Sequence, residues 1–275
     1  MVHASTVTLR PVGGMPMNSP RWVPVQIEKE ATRTLKTTLA ARKLVDFVGP
    51  LGWQASAVSI GRTRAAEPPA RTSVQTRLRD VLPLVELRVP FELSRAELDA
   101  LDRGADDFDT DPIIAAAREI AIAEDRAVFH GYPPGGIRGM CAQAESNVQI
   151  SGTAADYPAL VTTALNRLRE QGVDGPFAVA LSERCYVELT EATEGGYPVL
   201  QHVRRLIDGP LVWAPGLDGA VVVSLRGDDF QLTVGQDFAI GYLSHNAERV
   251  QLYIEESFTF WLQSPQAAVP LVFPA

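Results

Sequence analysis

The sequence predicts an α+β fold, and three observations carry that reading. Apolar residues recur every four positions at Ile27, Ala31, Leu35 and Leu39, which is helical spacing. They recur every two positions at Val85, Leu87, Val89, Phe91 and Leu93, and Val250, Leu252, Ile254, Phe258, Phe260 and Leu262 share one face in the same way, which is strand spacing. Helical and extended segments follow one another irregularly, without the regular strand–helix–strand alternation of a parallel α/β sheet.

Taken in order, residues 1–20 hold three Pro and two Gly and read as a mobile arm. A helix starts near Pro24, which a first turn tolerates, and ends by Phe47, because Gly49, Pro50 and Gly52 break it. Glu28, Lys29, Thr32, Arg33 and Lys36 form its polar side. "SAVSIGR" and "SVQTRLR" are weakly alternating strands flanking the turn "AAEPPA". With the Val85–Leu93 run, where Glu86, Arg88 and Glu92 take the other face, they suggest a long projection. Ser94 and Glu97 have capping-box spacing before a short helix that stops at Gly104. A stronger helix runs from Asp111, the expected cap, with Pro112 in its first turn, to Gly131. A helix over Asp156–Gln171 turns Leu160, Val161, Ala164, Leu165 and Leu168 inward. The strand "FAVALS", a Ser182-capped helix, the loop "TEGGYP", the helix "VLQHVRRLI" and a strand-rich tail complete the chain.

Bulk properties narrow the function. The chain has 275 residues, 46 % of them hydrophobic, enough for a sizeable core and for apolar contact surface besides. A net charge of −8 disfavours a nucleic-acid partner. Only Cys141 and Cys185 are present, without a CxxC pair, which fits a reducing cytoplasm. Neither a signal-peptide pattern nor an eighteen-residue apolar run is found, so no membrane partner is expected.

The search for chemistry returns little. His3, His130, His202 and His245 have no HxxxH or HExxH spacing, so a helical zinc site is unsupported. His130 reads as a helix C-terminal residue. No GxSxG elbow occurs, and "GYPPGGIRG" lacks a following GK[ST]. "DDFDTD" places Asp107, Asp109 and Asp111 at alternate positions, but Pro112 and Arg118 stand where a calcium loop needs Gly and Glu. Those acids suit a helix N-terminus instead. Cys185 reads as a core residue without a His or Asp partner. Residue chemistry therefore predicts neither catalysis nor a bound metal.

The segments "EATRTLK", "ARKLVDF" and "GPLGW" resemble the N-terminal helix and turn of encapsulins, bacterial nanocompartment shell proteins with the HK97-type phage capsid fold. The resemblance continues in order through "LPLVELRVPFELSRAELDALDRG", "EDRAVFHG", "GPFAVAL", "GQDFAIGY" and "ESFTFWLQSP". The family usually has a Trp inside the helix start, close to Pro24, whereas here Trp22 precedes it. The resemblance implies an arm (1–23), an N-terminal helix and turn of a peripheral domain (24–54) and an extended loop (55–92). It further implies a spine-helix region (93–132), an axial domain (133–213) and peripheral C-terminal strands (214–275). It also implies a homo-oligomeric shell, with sixty subunits as the smallest, T=1 form. Cargo would be a dye-decolourising peroxidase or a ferritin-like iron oxidase, held by a C-terminal targeting peptide. The matching docking positions are Ile27, Ala31, Leu35, Leu39, Phe238 and Ile240, with Arg42 and Asp46 for the peptide's polar ends. The matching pore loop is Glu191, Glu194, Gly195, Gly196 and Tyr197. Some members resemble flavin binders through an aromatic residue in the segment matching "SRAEL"; Ala96 stands there, so no flavin or other cofactor is expected. A phage-type major capsid protein shares the fold, but the short arm and acidic balance argue against it. An enzyme of unrecognised type is the remaining alternative.

Overall fold

Two mixed sheets and six helices are built around one buried junction in a computed structural model that describes residues 8–9, 22–68 and 73–274. In chain order the first elements are β1 (Thr8–Leu9), α1 (Trp22–Thr38), β2 (Asp46–Val48), β3 (Ala57–Ala66), β4 (Thr76–Pro83) and β5 (Val85–Ser94). Then come α2 (Arg95–Asp102), α3 (Asp111–His130), β6 (Val148–Gln149), α4 (Tyr157–Glu170), β7 (Phe177–Leu181) and α5 (Glu183–Glu191). A two-residue hairpin of β8 (Thr193–Glu194) and β9 (Tyr197–Pro198) leads to α6 (Val199–Leu206) and β10 (Leu211–Trp213). The remaining strands are β11 (Ala220–Ser224), β12 (Phe230–Val234), β13 (Ala239–His245), β14 (Arg249–Leu262) and β15 (Ala268–Val272).

The first sheet has the order β1-β13-β14-β12-β2, with β5 also pairing along β14. The second has the order β10-β7-β11-β15-β6. The strands between residues 214 and 275 therefore divide between the sheets: β12, β13 and β14 join the first, β11 and β15 the second. β5 pairs with β14 from Val85↔Phe258 to Ser94↔Arg249, so it is a sheet strand and not part of the projection. The projection itself is the antiparallel hairpin β3–β4, from Ala57↔Pro83 to Ala66↔Thr76. Apart from β1, the arm expected over residues 1–20 lies outside the described residues, as does His3.

Several elements follow their sequence patterns. On α4, Val161, Ala164, Leu165 and Leu168 are buried and Leu160 partly so. Ser182 Oγ caps α5 by accepting the Cys185 N–H at 3.3 Å. Other expectations are corrected. α1 ends at Thr38, not near Phe47, because the Ala40 and Ala41 amides turn to the Asp125 carboxylate on α3 at 3.0 and 2.8 Å. Residues 46–48 become β2, paired in parallel with β12. Ser94 makes no side-chain cap to α2, and Glu97 accepts the Asp109 N–H at 3.3 Å instead. Thr110 is the N-cap residue of α3, and the Asp111 N–H is held by Asp109 Oδ1 at 3.0 Å.

The turn after β2 is fixed by backbone. The Leu51 N–H donates to Val234 O at 3.0 Å and the Gly52 N–H to Gly235 O at 2.8 Å. Gly49 has φ +130°, and a Cβ there would stand 2.4 Å from Val234 O, so a side chain cannot be accommodated without moving β12. This turn launches the β3–β4 hairpin and leaves Leu51 and Trp53 exposed at its foot.

Candidate functional site

The structure brings the six apolar docking candidates together. Ile27, Ala31 and Leu35 on α1 and Leu39 just after it meet Phe238 and Ile240 beside and on β13, in one cluster with Phe91, Ile113, Ile120 and Ile254. All six are at most 3 % exposed, so within the subunit they hold α1 against α3 and the first sheet. Each buried Leu or Ile side chain contributes roughly 1.5–3 kcal/mol to that attachment.

Arg42 sits at the edge of this cluster in a set of charges that sequence spacing does not reveal. Its guanidinium donates from Nε to both Glu124 oxygens at 2.9 Å, from Nη1 to Asp237 Oδ1 at 2.8 Å, and from Nη2 to Glu256 Oε2 at 2.9 Å. It also lies 4.5 Å from the Phe238 ring centroid and 5.2 Å from that of Phe47. Burial by itself would lower the Arg42 pKa, but the carboxylates of Glu124, Glu256 and Asp237 outweigh it and the guanidinium stays charged. Glu124 and Glu256 are fully buried. Burial, reinforced by repulsion from Glu124, raises the Glu256 carboxyl well above the usual range against the pull of Arg42. Burial pushes Asp125 up to about 8 against the pull of the Ala41 and Ala40 amides. The arrangement orients four chain segments; with every Arg42 nitrogen engaged by carboxylates, a peptide carboxylate would have to displace one of them.

Asp46 lines a cavity that Arg42 also borders. Its carboxylate accepts the Asp228 N–H at 2.7 Å on the rim of this cavity of about 440 Å³, which Lys43, Phe47, Ser224, Asp229 and Phe230 also line. Arg226 occupies Asp229 there through two bonds of 2.9 Å. Burial lowers the Lys43 pKa.

The acidic loop candidates form a separate site at the β8–β9 hairpin. Glu191, Glu194, Gly195, Gly196 and Tyr197 are all exposed. Gly195 (φ +56°) and Gly196 (φ +80°) supply the two positive φ angles of a tight hairpin turn, and Glu194 pairs with Tyr197 across it. α6 adds His202, whose Nδ1 is 3.5 Å from Glu194 Oε2 and whose ring stacks on Tyr197 at 5.8 Å. Arg205 lies 5.4 Å from the Tyr197 ring. The sequence reading missed His202 and Arg205, although their i,i+3 spacing places them on one helix face just after the loop. Exposed carboxylates at a tip attract cations when several copies converge. Among the described residues, no group of three or more His, Cys, Asp or Glu side chains is placed to hold a metal, and no helix is long and apolar enough to cross a membrane.

Comparison with known proteins gives this geometry a context. The profile of a family described as "encapsulating protein for peroxidase" matches residues 13–259. The type 1 encapsulin shell protein of Rhodospirillum rubrum is 57 % identical over 263 residues, covering 93 % of both chains. Among solved structures, a virus-like particle from Pyrococcus furiosus aligns with TM-score 0.61 at 16 % identity, over 90 % of this chain and 98 % of the other. The capsid of the cyanophage P-SCSP1u aligns with TM-score 0.53 at 9 % identity, over 97 % and 93 %. Those two likenesses establish the HK97 capsid-like fold.

The raised Asp125 carboxyl predicts a signed pH dependence. The folded chain keeps a proton that the unfolded chain, with an Asp pKa of about 3.9, releases. The contribution of Asp125 to stability is therefore fully present below about pH 4 and declines as pH rises toward about 8. Asp125→Asn should flatten this decline, measured as unfolding free energy against pH; parallel curves for variant and wild type would contradict the assignment.

Proposed function

The chain belongs to the encapsulin family of shell proteins, whose members form capsid-like compartments, and from that membership we propose how this wall is built and what it encloses. Identical copies close into an icosahedral shell of sixty subunits in the cytoplasm, around a dye-decolourising peroxidase or a ferritin-like iron oxidase and without nucleic acid. The wall itself catalyses nothing. The observation that carries the assembly is the β3–β4 hairpin. It pairs with no other sheet among the described residues, and it exposes Val74, Leu78 and Val81 by about half. Two strand edges and half-exposed apolar side chains invite pairing with a neighbouring subunit. Trp53 and Leu51, also about half exposed at the hairpin's foot, extend the same surface.

A C-terminal targeting peptide of the enclosed enzyme docks beside α1 and β13. The burial of Leu35 and its neighbours supports a rigid wall there, with peptide contacts made at its margin. The β8–β9 hairpins gather at a symmetry axis and present Glu191 and Glu194 as rings that draw cations through a pore. The family description, with its named peroxidase, supports an oxidative enzyme as cargo.

Mass photometry and negative-stain imaging test the assembly. Hollow particles of about 1.8 MDa, sixty copies of a 29.8 kDa chain, are expected, and a dimer or tetramer would refute it. For the pore, Glu194→Lys should slow entry of a divalent cation to an enclosed indicator dye several-fold in stopped-flow measurements. Unchanged entry rates would remove the rings from the account.

A further inference from the structure

Charge is distributed unevenly along the chain, and its two extremes lie on separate surfaces. Residues 57–83, the β3–β4 hairpin and its tip, hold Arg62, Arg64, Arg71, Arg77 and Arg79 against Glu67 and Asp80, a net of +3 in a chain of net −8. Residues 97–111, from α2 to the start of α3, hold Glu97 and six Asp against Arg103 alone, a net of −6. Cross-strand register orders the arginines. Arg77 pairs with Ala65 and Arg79 with Thr63, so both side chains share one face with small residues opposite. Arg77 Nε donates to Thr63 Oγ1 at 2.9 Å, which fixes it on that face. Arg64 is on the other face and meets Asp80 at 3.4 Å. Arg62, Arg77 and Arg79 are exposed and meet no carboxylate among the described residues, and the residues outside that set contain no Asp or Glu. On the acidic side, Asp99, Asp102, Asp106 and Asp107 are exposed, and none forms an ion pair among the described residues. A cleft of about 370 Å³ beside them is bounded by Glu97, Asp109 and Glu248, and at its wall Arg249 binds Glu92 at 2.8 Å.

We propose that the arginine face of the β3–β4 hairpin docks on the 97–111 surface of a neighbouring copy, so that charge sets which faces of two subunits join. The proposal rests on the reading that the hairpin joins neighbouring subunits. Within one subunit these arginines contact no carboxylate of residues 97–111, so their complement on this chain is reached only in a second copy. A planar guanidinium takes a carboxylate through two parallel N–H···O bonds, which fixes orientation as well as attraction. A wrong approach brings arginine to arginine, or acid to acid, and is repelled. One exposed ion pair contributes little by itself. In a closed shell, however, every copy makes the contact twice, once through its hairpin and once through its acidic surface, and the small terms act together.

Charge reversal at each surface, and then at both, tests this. Arg77→Glu with Arg79→Glu, and separately Asp106→Lys with Asp107→Lys, should each lower the fraction of chains in shells at least tenfold, read by mass photometry of the full-length chain. All four substitutions in one chain restore opposite charges across the contact and should return that fraction to within about twofold of wild type. A loss of folding could not be repaired in this way, so the combined variant separates a lost contact from a lost fold. Wild-type assembly of either double variant, or no recovery in the combined one, overturns the charged contact. A chain with residues 62–79 replaced by a short Gly-Ser turn then decides the wider reading. If the charged contact fails and this shortened chain does not assemble, the hairpin joins subunits through another of its surfaces. If the shortened chain forms shells, the hairpin's part in assembly falls together with the contact.

Discussion

One guanidinium holds the subunit in register. Arg42 follows α1, Glu124 is on α3, Asp237 sits between β12 and β13, and Glu256 is in the middle of β14. No two of these segments are adjacent in sequence, and all meet within hydrogen-bond distance of a single side chain. Burying such charges is expensive unless every partner is in place, so a shifted α1 or a slipped β14 would leave a charge unpaired. The network thus works against alternative packings more than it adds to net stability. Asp125 extends it by taking the Ala40 and Ala41 amides, which turns the chain out of α1 and into β2.

The rest of the architecture follows from that junction. With α1 clamped, its apolar face closes on α3 and the first sheet, and β2 is carried to the edge of β12. The turn after β2, pinned to Val234 and Gly235, then projects the β3–β4 hairpin away from the body. The body and the hairpin thus differ in kind: one is packed on both sheets, the other pairs only within itself among the described residues. The β8–β9 hairpin, held by short-range contacts among Glu194, Tyr197 and His202, is a second extension, mounted on the other sheet's helices.

Local patterns were legible in the sequence where they decide the outcome. The alternation in β5, the inward face of α4 and the Ser182 cap all depend on neighbours within a few residues, and they read directly. The end of α1 did not, because it depends on Asp125, some 85 residues away. The six apolar docking candidates lie in one buried cluster, yet periodicity cannot separate a helix face that buries itself from one that receives a ligand. Arg42 looked like an end-group for a peptide because its three acids lie 82, 195 and 214 residues distant. One signal was present in the sequence: Glu256 occupies the same alternate register as Ile254 and Phe258, and a carboxyl on an apolar strand face requires a buried partner.

Hydrogen exchange on the assembled protein tests the junction most directly. If Arg42 and Asp125 join α1, α3 and β14 into one cooperative unit, amides of residues 39–44 exchange as slowly as those of residues 252–258, and only through global opening. Rapid exchange at 39–44, with β14 still protected, would show that the turn after α1 opens independently and that the buried charges do not govern the fold.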